Sequence, residues 1–254
     1  MKKVLIGLGA LVLLIVGSFG ALIASAFAGN APIVDGSEPA PGVRQVKDGF
    51  VSMFVLDAGE GQVALIDAGT DPEGKAILAE LARRKLGPDA VKAIFLTHGH
   101  GDHLAAVHLF PKADVYGFGA EAPLMDGTAG PRGPIVRFFG KKDSGVRFTH
   151  LLADGETTTV GSLTVKSFLI PGHTQGSAAY LARGVLFLGD SAAATNEGTI
   201  KGAVWAFSDD SAQAKASLTS LLTKVDAKDV AMIAPAHTAP LKGLGALQAF
   251  TQGK

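Results

Sequence analysis

Hydrophobic residues along most of this chain occur in short runs or in alternation with polar residues, a pattern typical of β-strands. Residues 51–57 and 62–67 flank the turn Ala58-Gly59-Glu60-Gly61, which predicts a β-hairpin. Further apolar runs predict strands at residues 91–96, 115–118, 163–170, 178–181, 185–188 and 230–234. The chain is therefore predicted to be rich in β structure.

Three other segments have the apolar spacing of amphipathic helices. They are residues 72–86, 102–110 and 212–222, each between two predicted strands. Residues 121–144 interrupt this order with many prolines and glycines, and we predict a long loop there that is a functional cover or a mobile segment. The order of elements predicts an α/β (α+β) fold in which two sheets pack together with helices on both outer faces.

The amino-terminal segment has a different composition. Lys2 and Lys3 precede an uncharged stretch at residues 4–28, for which we predict a hydrophobic helix. Residues 26–28 form a signal-peptidase site before Gly29, but the uncut stretch is also long enough to anchor the chain in a membrane. Both alternatives keep the lysines on the cytoplasmic side, so we expect an exported protein that is periplasmic, extracellular or membrane-anchored.

The composition also places the domain boundaries. Residues 1–28 are the signal peptide or membrane anchor, and residues 29–42, rich in proline, glycine and small residues, are predicted to be a linker. Residues 43–254 are predicted to form one domain.

The charge and the cysteine content restrict the possible partners and metal ligands of the chain. The 23 basic residues are balanced by 23 acidic residues, and the absence of an extended basic run argues against a nucleic-acid partner. The chain contains no cysteine, which excludes disulfides, thiolate ligands and a catalytic thiol. A bound metal would therefore have imidazole and carboxylate ligands, which suit zinc, iron or manganese.

Metal-binding residue types are concentrated directly after predicted strands. Three of the seven histidines and one aspartate lie within six positions after the strand at 91–96, namely His98, His100, Asp102 and His103. His173, Asp190 and His237 each follow another predicted strand, next to glycine or proline. Because strand ends meet at one edge of a sheet, these side chains are expected to converge there.

In order and spacing, these seven residues resemble the ligand set of the metallo-β-lactamase superfamily, and the resemblance covers nearly all of residues 43–254. It implies an αββα sandwich with two mixed sheets packed face to face and a centre of two zinc ions, with iron or manganese as alternatives. By this resemblance, the first metal is held by His98, His100 and His173, the second by Asp102, His103 and His237, and Asp190 bridges both.

Such a centre would perform hydrolysis. Two divalent ions stabilise a negative tetrahedral intermediate and lower the pKa of bound water towards ~7, so hydroxide is available at neutral pH. Asp102 is expected to be catalytic as the proton acceptor, since it can bond the water while remaining a ligand. Asp67 occupies the position of an acidic residue of the family, and we expect it to orient one of the ligands.

The bridging aspartate restricts the class of substrate that the resemblance implies. The β-lactam-hydrolysing branches carry cysteine or serine where this chain has Asp190, so the resemblance favours the glyoxalase-like or lactonase-like branch. The short segment after His237 is too short for the carboxyl-terminal domain of glyoxalase II. We therefore predict a hydrolase that acts on a small-molecule ester, thioester or lactone.

Three alternatives stay open. A persulfide dioxygenase with one iron shares the same motif, and a β-lactamase would fit an exported protein. The third alternative is not an enzyme but a binding module tethered to the membrane through residues 4–28.

An apolar substrate pocket is predicted above the metals. Its candidate residues are Arg132, Phe138 and Phe139 in the long loop, and Trp205 and Phe207 after Asp190, with ordinary packing of these aromatics as the alternative. Tyr180 alternates with small residues in a predicted strand, which indicates a core position. His108 and His150 fall outside the ligand pattern and are expected to be surface or structural residues.

Overall fold

Two six-stranded sheets form the centre of the molecule in the computed structural model, which describes residues 17, 20 and 24–253. The first sheet contains, in spatial order, β1 (Val43–Asp48), β2 (Val51–Gly59), β3 (Gln62–Ile66), β4 (Val91–Phe95), β5 (Asp114–Gly117) and β6 (His150–Leu151). The second contains β14 (Leu241–Lys242), β13 (Met232–Pro235), β10 (Val185–Gly189), β9 (Ala178–Ala182), β8 (Leu163–Leu169) and β7 (Thr157–Val160). A separate hairpin pairs β11 (Ala192–Ala194) with β12 (Ile200–Gly202).

Both sheets are mixed, as predicted. Strands β3 to β6 run parallel to one another, whereas β1 and β2 join them as an antiparallel edge. In the second sheet β10 and β13 are parallel, and the other neighbours are antiparallel. The ends of β4, β10 and β13 carry residues of the histidine and aspartate set.

Helices cover both outer faces. The helices are α1 (Lys75–Arg83), α2 (Gly101–Leu104), α3 (Ala122–Met125), α4 (Ser211–Lys224) and α5 (Gly245–Thr251). Ile77 and Leu81 of α1 pack on the outer face of the first sheet, and Leu218 of α4 with Leu247 of α5 pack on the second. This arrangement confirms the predicted αββα sandwich.

The core between the sheets combines aliphatic residues with several large aromatic side chains. The ring centroids of Phe54 and Phe187 lie 4.9 Å apart, and those of Phe95 and Tyr180 lie 5.4 Å apart. Full burial of such a side chain contributes roughly 1.5–3 kcal/mol. Tyr180 is completely buried and donates a hydrogen bond of 2.6 Å to the carbonyl of Leu96, so it is a core residue as the alternation indicated.

The helix predicted at residues 102–110 is much shorter in the structure. Helix α2 ends at Leu104, and a separate 3₁₀ turn covers Val107–Leu109. The backbone N–H groups of Ala105 and Ala106 donate to the carbonyls of Gly69 and Ala68 instead of continuing the helix. Tertiary hydrogen bonds from the loop after β3 therefore compete successfully with the local helical pattern.

The helix predicted at residues 72–86 also begins later and ends earlier. Gly74 caps α1 in the left-handed conformation, and Lys85 has a positive φ of 60° two residues after the helix ends. The segment predicted as a long loop at 121–144 contains α3 and a 3₁₀ turn at Val136–Phe139.

The segment at residues 29–42 contacts the domain through its backbone. Asn30 forms an isolated β-bridge with Thr195, and the N–H of Ala31 donates to the carbonyl of Ala194. The hydrophobic helix and the signal peptide or anchor predicted at residues 4–28 lie mostly outside the described residues. Within the part of this segment that the structure describes, residues 24–27 are helical. Among the described residues, no helix combines the length and apolarity needed to cross a bilayer.

Candidate metal centre

The seven histidine and aspartate side chains meet at one edge of the sandwich. His98 and His100 follow β4, and His173 follows β8. Their nitrogens, together with the other ligand atoms, fall into groups of three with all atoms within 4.8 Å. These groups are His98, His100 and His173; His98, His103 and Asp190; and Asp102, His103 and His237.

Three imidazole nitrogens converge in the first group. Nε2 of His98 lies 3.0 Å from Nδ1 of His100 and 3.2 Å from Nε2 of His173. Nε2 of His173 lies 3.0 Å from Nδ1 of His100. A tetrahedral zinc site separates its nitrogen ligands by roughly 3.3 Å, so this triangle has the size that one zinc ion requires.

Neighbouring residues fix the tautomers of two of these histidines. The Thr97 hydroxyl donates to Asp67, so at 3.1 Å it accepts from Nδ1 of His98. The Ser208 hydroxyl donates to the carbonyl of Val204, so at 2.9 Å it accepts from Nδ1 of His173. Both Nε2 atoms consequently present lone pairs, the form of imidazole that binds a metal.

The second group, formed by Asp102, His103 and His237, combines one carboxylate with two imidazoles. Oδ2 of Asp102 lies 3.6 Å from Nε2 of His103 and 3.5 Å from Nε2 of His237. The carbonyl of Phe50 accepts a 2.8 Å hydrogen bond from Nδ1 of His237, which again leaves Nε2 free for a metal.

Asp190 lies between the two groups. Its Oδ1 is 3.2 Å from Nε2 of His103, and its Oδ2 is 3.0 Å from Nε2 of His237 and 3.7 Å from Nε2 of His173. Oδ1 of Asp190 and Nε2 of His103 are both buried, yet neither has a hydrogen-bond partner among the described residues. Buried polar atoms without partners are costly, and a bridging cation would satisfy both.

Asp67 orients His103 from behind. Its Oδ2 accepts a 2.8 Å hydrogen bond from Nδ1 of His103 and a 2.7 Å hydrogen bond from the Thr97 hydroxyl. Its Oδ1 accepts from the backbone N–H of Thr97 at 2.7 Å. Asp67 itself has a φ of 60°, a conformation unusual for a residue with a side chain, and such outliers are frequent at functional sites. The role of Asp67 in orienting a metal ligand stays a prediction.

Burial keeps the first group neutral. Burial lowers the pKa of His98 well below its usual range, and the neighbouring histidines reinforce the effect. Burial likewise lowers the pKa of His173 to about 3 and lowers that of His100. Neutral imidazoles have the lone pairs that a cation needs.

The second group has the opposite electrostatics. Burial opposes the charged form of His103, but the carboxylates of Asp190, Asp102 and Asp67 outweigh it and raise the pKa of His103 well above its usual range. Burial also opposes ionisation of Asp190, and the proximity of His237 and His103 outweighs it and lowers the pKa of Asp190 well below its usual range. The carboxylates thus create a negative potential in which positive charge is favoured.

A buried carboxylate, Glu121, connects two ligand-bearing loops. Its Oε1 accepts a 2.7 Å hydrogen bond from the N–H of Gly99, between His98 and His100. Its Oε2 accepts from the N–H of Gly176 at 2.7 Å and from the Thr174 hydroxyl at 2.8 Å. Burial raises the pKa of Glu121 against the effect of these three donors. Glu121 therefore fixes the His98–His103 loop relative to the loop that carries His173.

Two glycines permit the close packing of the loops. Gly172 precedes His173 with a φ of 138°, and a Cβ there would lie 2.1 Å from the backbone nitrogen of Ala214 in α4. Gly189 precedes Asp190, and a Cβ there would lie 2.7 Å from the side chain of Thr97. A side chain at either position would require Ala214 or Thr97 to shift.

A large cavity of about 1110 Å³ opens in front of these residues. His100, Asp102, His173, Asp190 and His237 line its base. Of the predicted pocket residues, Phe139 and Phe207 line this cavity. Phe138 points away and is 78% exposed, Trp205 lines a smaller adjacent pocket, and Arg132 contributes a backbone N–H that donates to Asp209. His108 and His150, expected outside the site, lie at the surface.

The sequence did not reveal Glu121, Ser208 and Phe50 as supporting residues. Glu121 lies four residues after the end of β5, at the end of the 3₁₀ turn Gly119–Glu121, and its place after a strand is the one signal that could have identified it. Ser208 has no sequence pattern that distinguishes it. Phe50 acts through its carbonyl, which every residue has.

The donor set fits a divalent metal. It offers imidazole nitrogens and carboxylate oxygens, buried atoms without partners, and tautomers fixed by neighbouring acceptors. An αββα sandwich with such a site at its edge defines the class of a metal-dependent enzyme.

The family follows from a sequence comparison. The model of the metallo-beta-lactamase superfamily matches residues 46–237, so the chain belongs to this superfamily. This match confirms the predicted family and its hydrolase class. Curated relatives include a protein of Salmonella gallinarum named hydroxyacylglutathione hydrolase, 34% identical over 143 residues, which are 55% of this chain and 46% of the relative. The same name recurs for a relative in Salmonella newport with the same identity and coverage, which supports the glyoxalase-like branch. The chain thus matches about half the length of these relatives.

Solved structures share the fold. The Rm3 metallo-beta-lactamase has a TM-score of 0.62 at 22% identity, with 84% of this chain and 81% of that chain covered. MIM-1 from Novosphingobium pentaromativorans has a TM-score of 0.66 at 18% identity, with 89% and 88% covered. At these identities the likeness concerns the αββα architecture alone.

Proposed function

We propose that this chain is an exported hydrolase that binds two zinc ions and cleaves an ester, thioester or lactone of a small molecule. The observation that carries the proposal is the position of Asp190, whose two carboxylate oxygens face ligand candidates of both groups at 3.0–3.7 Å. One carboxylate between two sets of donors is the arrangement that a bridged pair of ions requires. Iron and manganese also suit these donors.

The site residues have different roles in the proposed reaction. When bound, the two ions would polarise the substrate carbonyl and make hydroxide available near neutral pH. Asp102 lines the cavity with a partly exposed carboxylate, so it can accept a proton at Oδ during attack and pass it to the leaving group. Asp67 and Ser208 hold His103 and His173 with their Nε2 atoms directed into the site.

The kind of bond is supported by two observations. Asp190 stands where β-lactam-hydrolysing branches of the superfamily carry cysteine or serine, and relatives over part of the chain are named hydroxyacylglutathione hydrolase. Glutathione itself is a charged tripeptide. Among the described residues that line the cavity, only Lys142 and Asp143 are charged besides the ligand candidates, so we propose a thioester or ester with a less charged leaving group.

Export is part of the proposal. It rests on Lys2 and Lys3 followed by the uncharged stretch at residues 4–28, a pattern that directs the rest of a chain across a membrane. A fusion of alkaline phosphatase to the carboxyl terminus tests it, since that reporter is active only outside the cytoplasm. An inactive fusion with normal expression would contradict export.

The test of the activity is a substrate panel with the purified full-length chain. We expect hydrolysis of a thioester, ester or lactone that is lost on chelation and restored by zinc. Asp102→Asn is expected to lower kcat by roughly 10²–10⁴-fold with the metals retained. Asp114→Asn serves as the matched control, because Asp114 is an exposed surface residue. Hydrolysis of nitrocefin alone would replace the proposal with a β-lactamase, and one iron per chain with oxygen consumption on a persulfide would replace it with a dioxygenase. Binding of the substrates with metal present but without turnover would indicate a binding module.

A further inference from the structure

We propose that the substrate of this site carries an extended aliphatic acyl group, which binds in the apolar cavity in front of the metal-ligand residues with Phe139 at its entrance. The inference rests on the proposed hydrolase function and specifies its substrate class.

The size of the cavity supports an extended acyl group. At about 1110 Å³ it slightly exceeds the roughly 300–1,000 Å³ typical of small-molecule sites. His100, Asp102 and Asp190 line the same cavity, so a carbonyl placed at the metal-ligand residues has space beyond it. A short acetyl or lactoyl group would leave most of that space to water.

The walls are apolar and aromatic. Phe50 stacks on the imidazole of His237 with ring centroids 5.7 Å apart and an interplanar angle of 6°. Phe207 also lines the cavity, next to Ser208, whose hydroxyl accepts a hydrogen bond from Nδ1 of His173. Both phenylalanines line the cavity together with His173 and His237, so an aliphatic chain attached to the reacting carbonyl would contact them.

Charged groups are scarce along the walls. Besides the ligand candidates, the described lining residues include only Lys142 and Asp143 as charged side chains, and Asp143 is paired with Arg147 at 2.8 Å. A charged acyl group would lose its hydration here and would meet few charged partners, which costs free energy. An aliphatic group gains from the same transfer.

The entrance is formed by a segment that is held in place by the backbone. The N–H of Ile135 donates to the carbonyl of Ala206 at 2.9 Å, and Val136 behind it is buried in the cavity wall. Phe139 ends this 3₁₀ turn, lines the cavity and is still 74% exposed. An exposed aromatic side chain at the mouth of an apolar cavity marks a contact for an apolar ligand.

The chain also contains a matched control for Phe139. Phe138 is adjacent, is exposed to nearly the same extent, and does not belong to the cavity lining. It instead contacts the guanidinium of Arg137, which lies 5.0 Å from its ring centroid. Phe139→Ala and Phe138→Ala therefore remove the same side chain from the same turn, and only the first alters the cavity.

The test measures hydrolysis and binding against acyl-chain length. Hydrolysis of 4-nitrophenyl esters from acetyl to dodecanoyl by the zinc-loaded full-length chain is expected to rise by about fourfold in kcat/KM per added methylene until the cavity is filled. Calorimetry with primary alkyl amides, which are resistant to hydrolysis, is expected to show the same dependence in Kd. Phe139→Ala should flatten both dependences, and Phe138→Ala should leave both unchanged.

The outcomes separate the two claims. Hydrolysis with equal kcat/KM for all chain lengths would overturn the acyl-chain assignment and leave the hydrolase intact. Equal effects of Phe139→Ala and Phe138→Ala would overturn the role of Phe139. Failure to hydrolyse any ester, thioester or lactone would overturn the proposed function and the substrate assignment with it, whether or not the amides bind.

Discussion

Oδ2 of Asp67 lies 2.8 Å from Nδ1 of His103, and both side chains are almost completely buried. This hydrogen bond fixes the imidazole so that Nε2 faces Asp102 and Asp190. The position of a histidine ligand depends on the group that accepts a hydrogen bond from its other ring nitrogen.

Asp67→Asn is therefore expected to weaken zinc binding. The amide presents either its oxygen or its NH₂ group to His103 and Thr97, so it cannot accept all three hydrogen bonds of the carboxylate. We expect a loss of roughly 10–100-fold in zinc affinity, measured by competition with a chromophoric chelator. Asp57→Asn is the control, since Asp57 is exposed and its carboxylate accepts a hydrogen bond from the N–H of Gly59 in its own turn. Equal affinities of the two variants would contradict the role of Asp67.

Glu121→Gln is expected to lower stability and to disturb the first metal group. One oxygen that accepts a backbone N–H is replaced by an NH₂ group that also donates, at the point where Gly99 or Gly176 approaches. Leaving a buried donor unsatisfied costs about 1–3 kcal/mol. Urea unfolding with and without zinc checks this prediction. An unfolding free energy equal to that of the wild type would show that Glu121 does not hold the two loops together.

Glu80 is expected to make stability depend on pH. Burial disfavours its charged form, but the hydrogen bonds from Arg83 and Arg84 outweigh burial and lower the pKa of Glu80 below 4.5. A depressed pKa in the folded state contributes stability above the unfolded-state pKa, and this contribution is lost as the pH falls through the folded-state value.

The comparison with Glu80→Gln isolates that contribution. At pH 7 the variant should be less stable by about 1–3 kcal/mol, because Arg44 and the two helical arginines lose their common partner. The difference should shrink as the pH falls below 4.5. A difference in unfolding free energy that stays constant from pH 7 to the acid range would contradict the assignment.

Tyr180→Phe separates a structural role from a catalytic one. The Tyr180 hydroxyl donates to the carbonyl of Leu96, one residue before Thr97, and does not line the cavity. Removal of this buried hydrogen bond should cost about 1 kcal/mol in unfolding free energy and leave kcat unchanged. A large decrease in kcat without a loss of stability would instead assign Tyr180 to the reaction.

The sequence predicted the architecture well, because the period of the strands is local information. His98, His173, Asp190 and His237 each follow an apolar strand, and their assignment as metal ligands came from the family resemblance and stays a prediction. The helix at 102–110 was predicted too long, because the carbonyls of Ala68 and Gly69, distant in sequence, bind the N–H groups that would continue it.

The residues that support the metal-ligand candidates could not be predicted from the sequence for a similar reason. Glu121 accepts from the N–H of Gly99, 22 positions away, and Ser208 accepts from His173, 35 positions away, through hydrogen bonds that exist only after folding. The prediction of the substrate-pocket residues was incomplete for the same reason. Phe138 and Phe139 are identical neighbours in the sequence, and only the turn at Val136–Phe139 decides which ring faces the cavity.

The most direct test of the central claim is the number of metal ions per chain, measured by mass spectrometry of the purified protein together with a zinc titration of hydrolysis. We expect two zinc ions per chain in the wild type and activity that reaches its maximum only when both are bound. Asp190→Ala should reduce both, because Asp190 contacts ligands of both groups. Full activity with a single metal ion per chain, unchanged by Asp190→Ala, would contradict a two-metal centre bridged by Asp190.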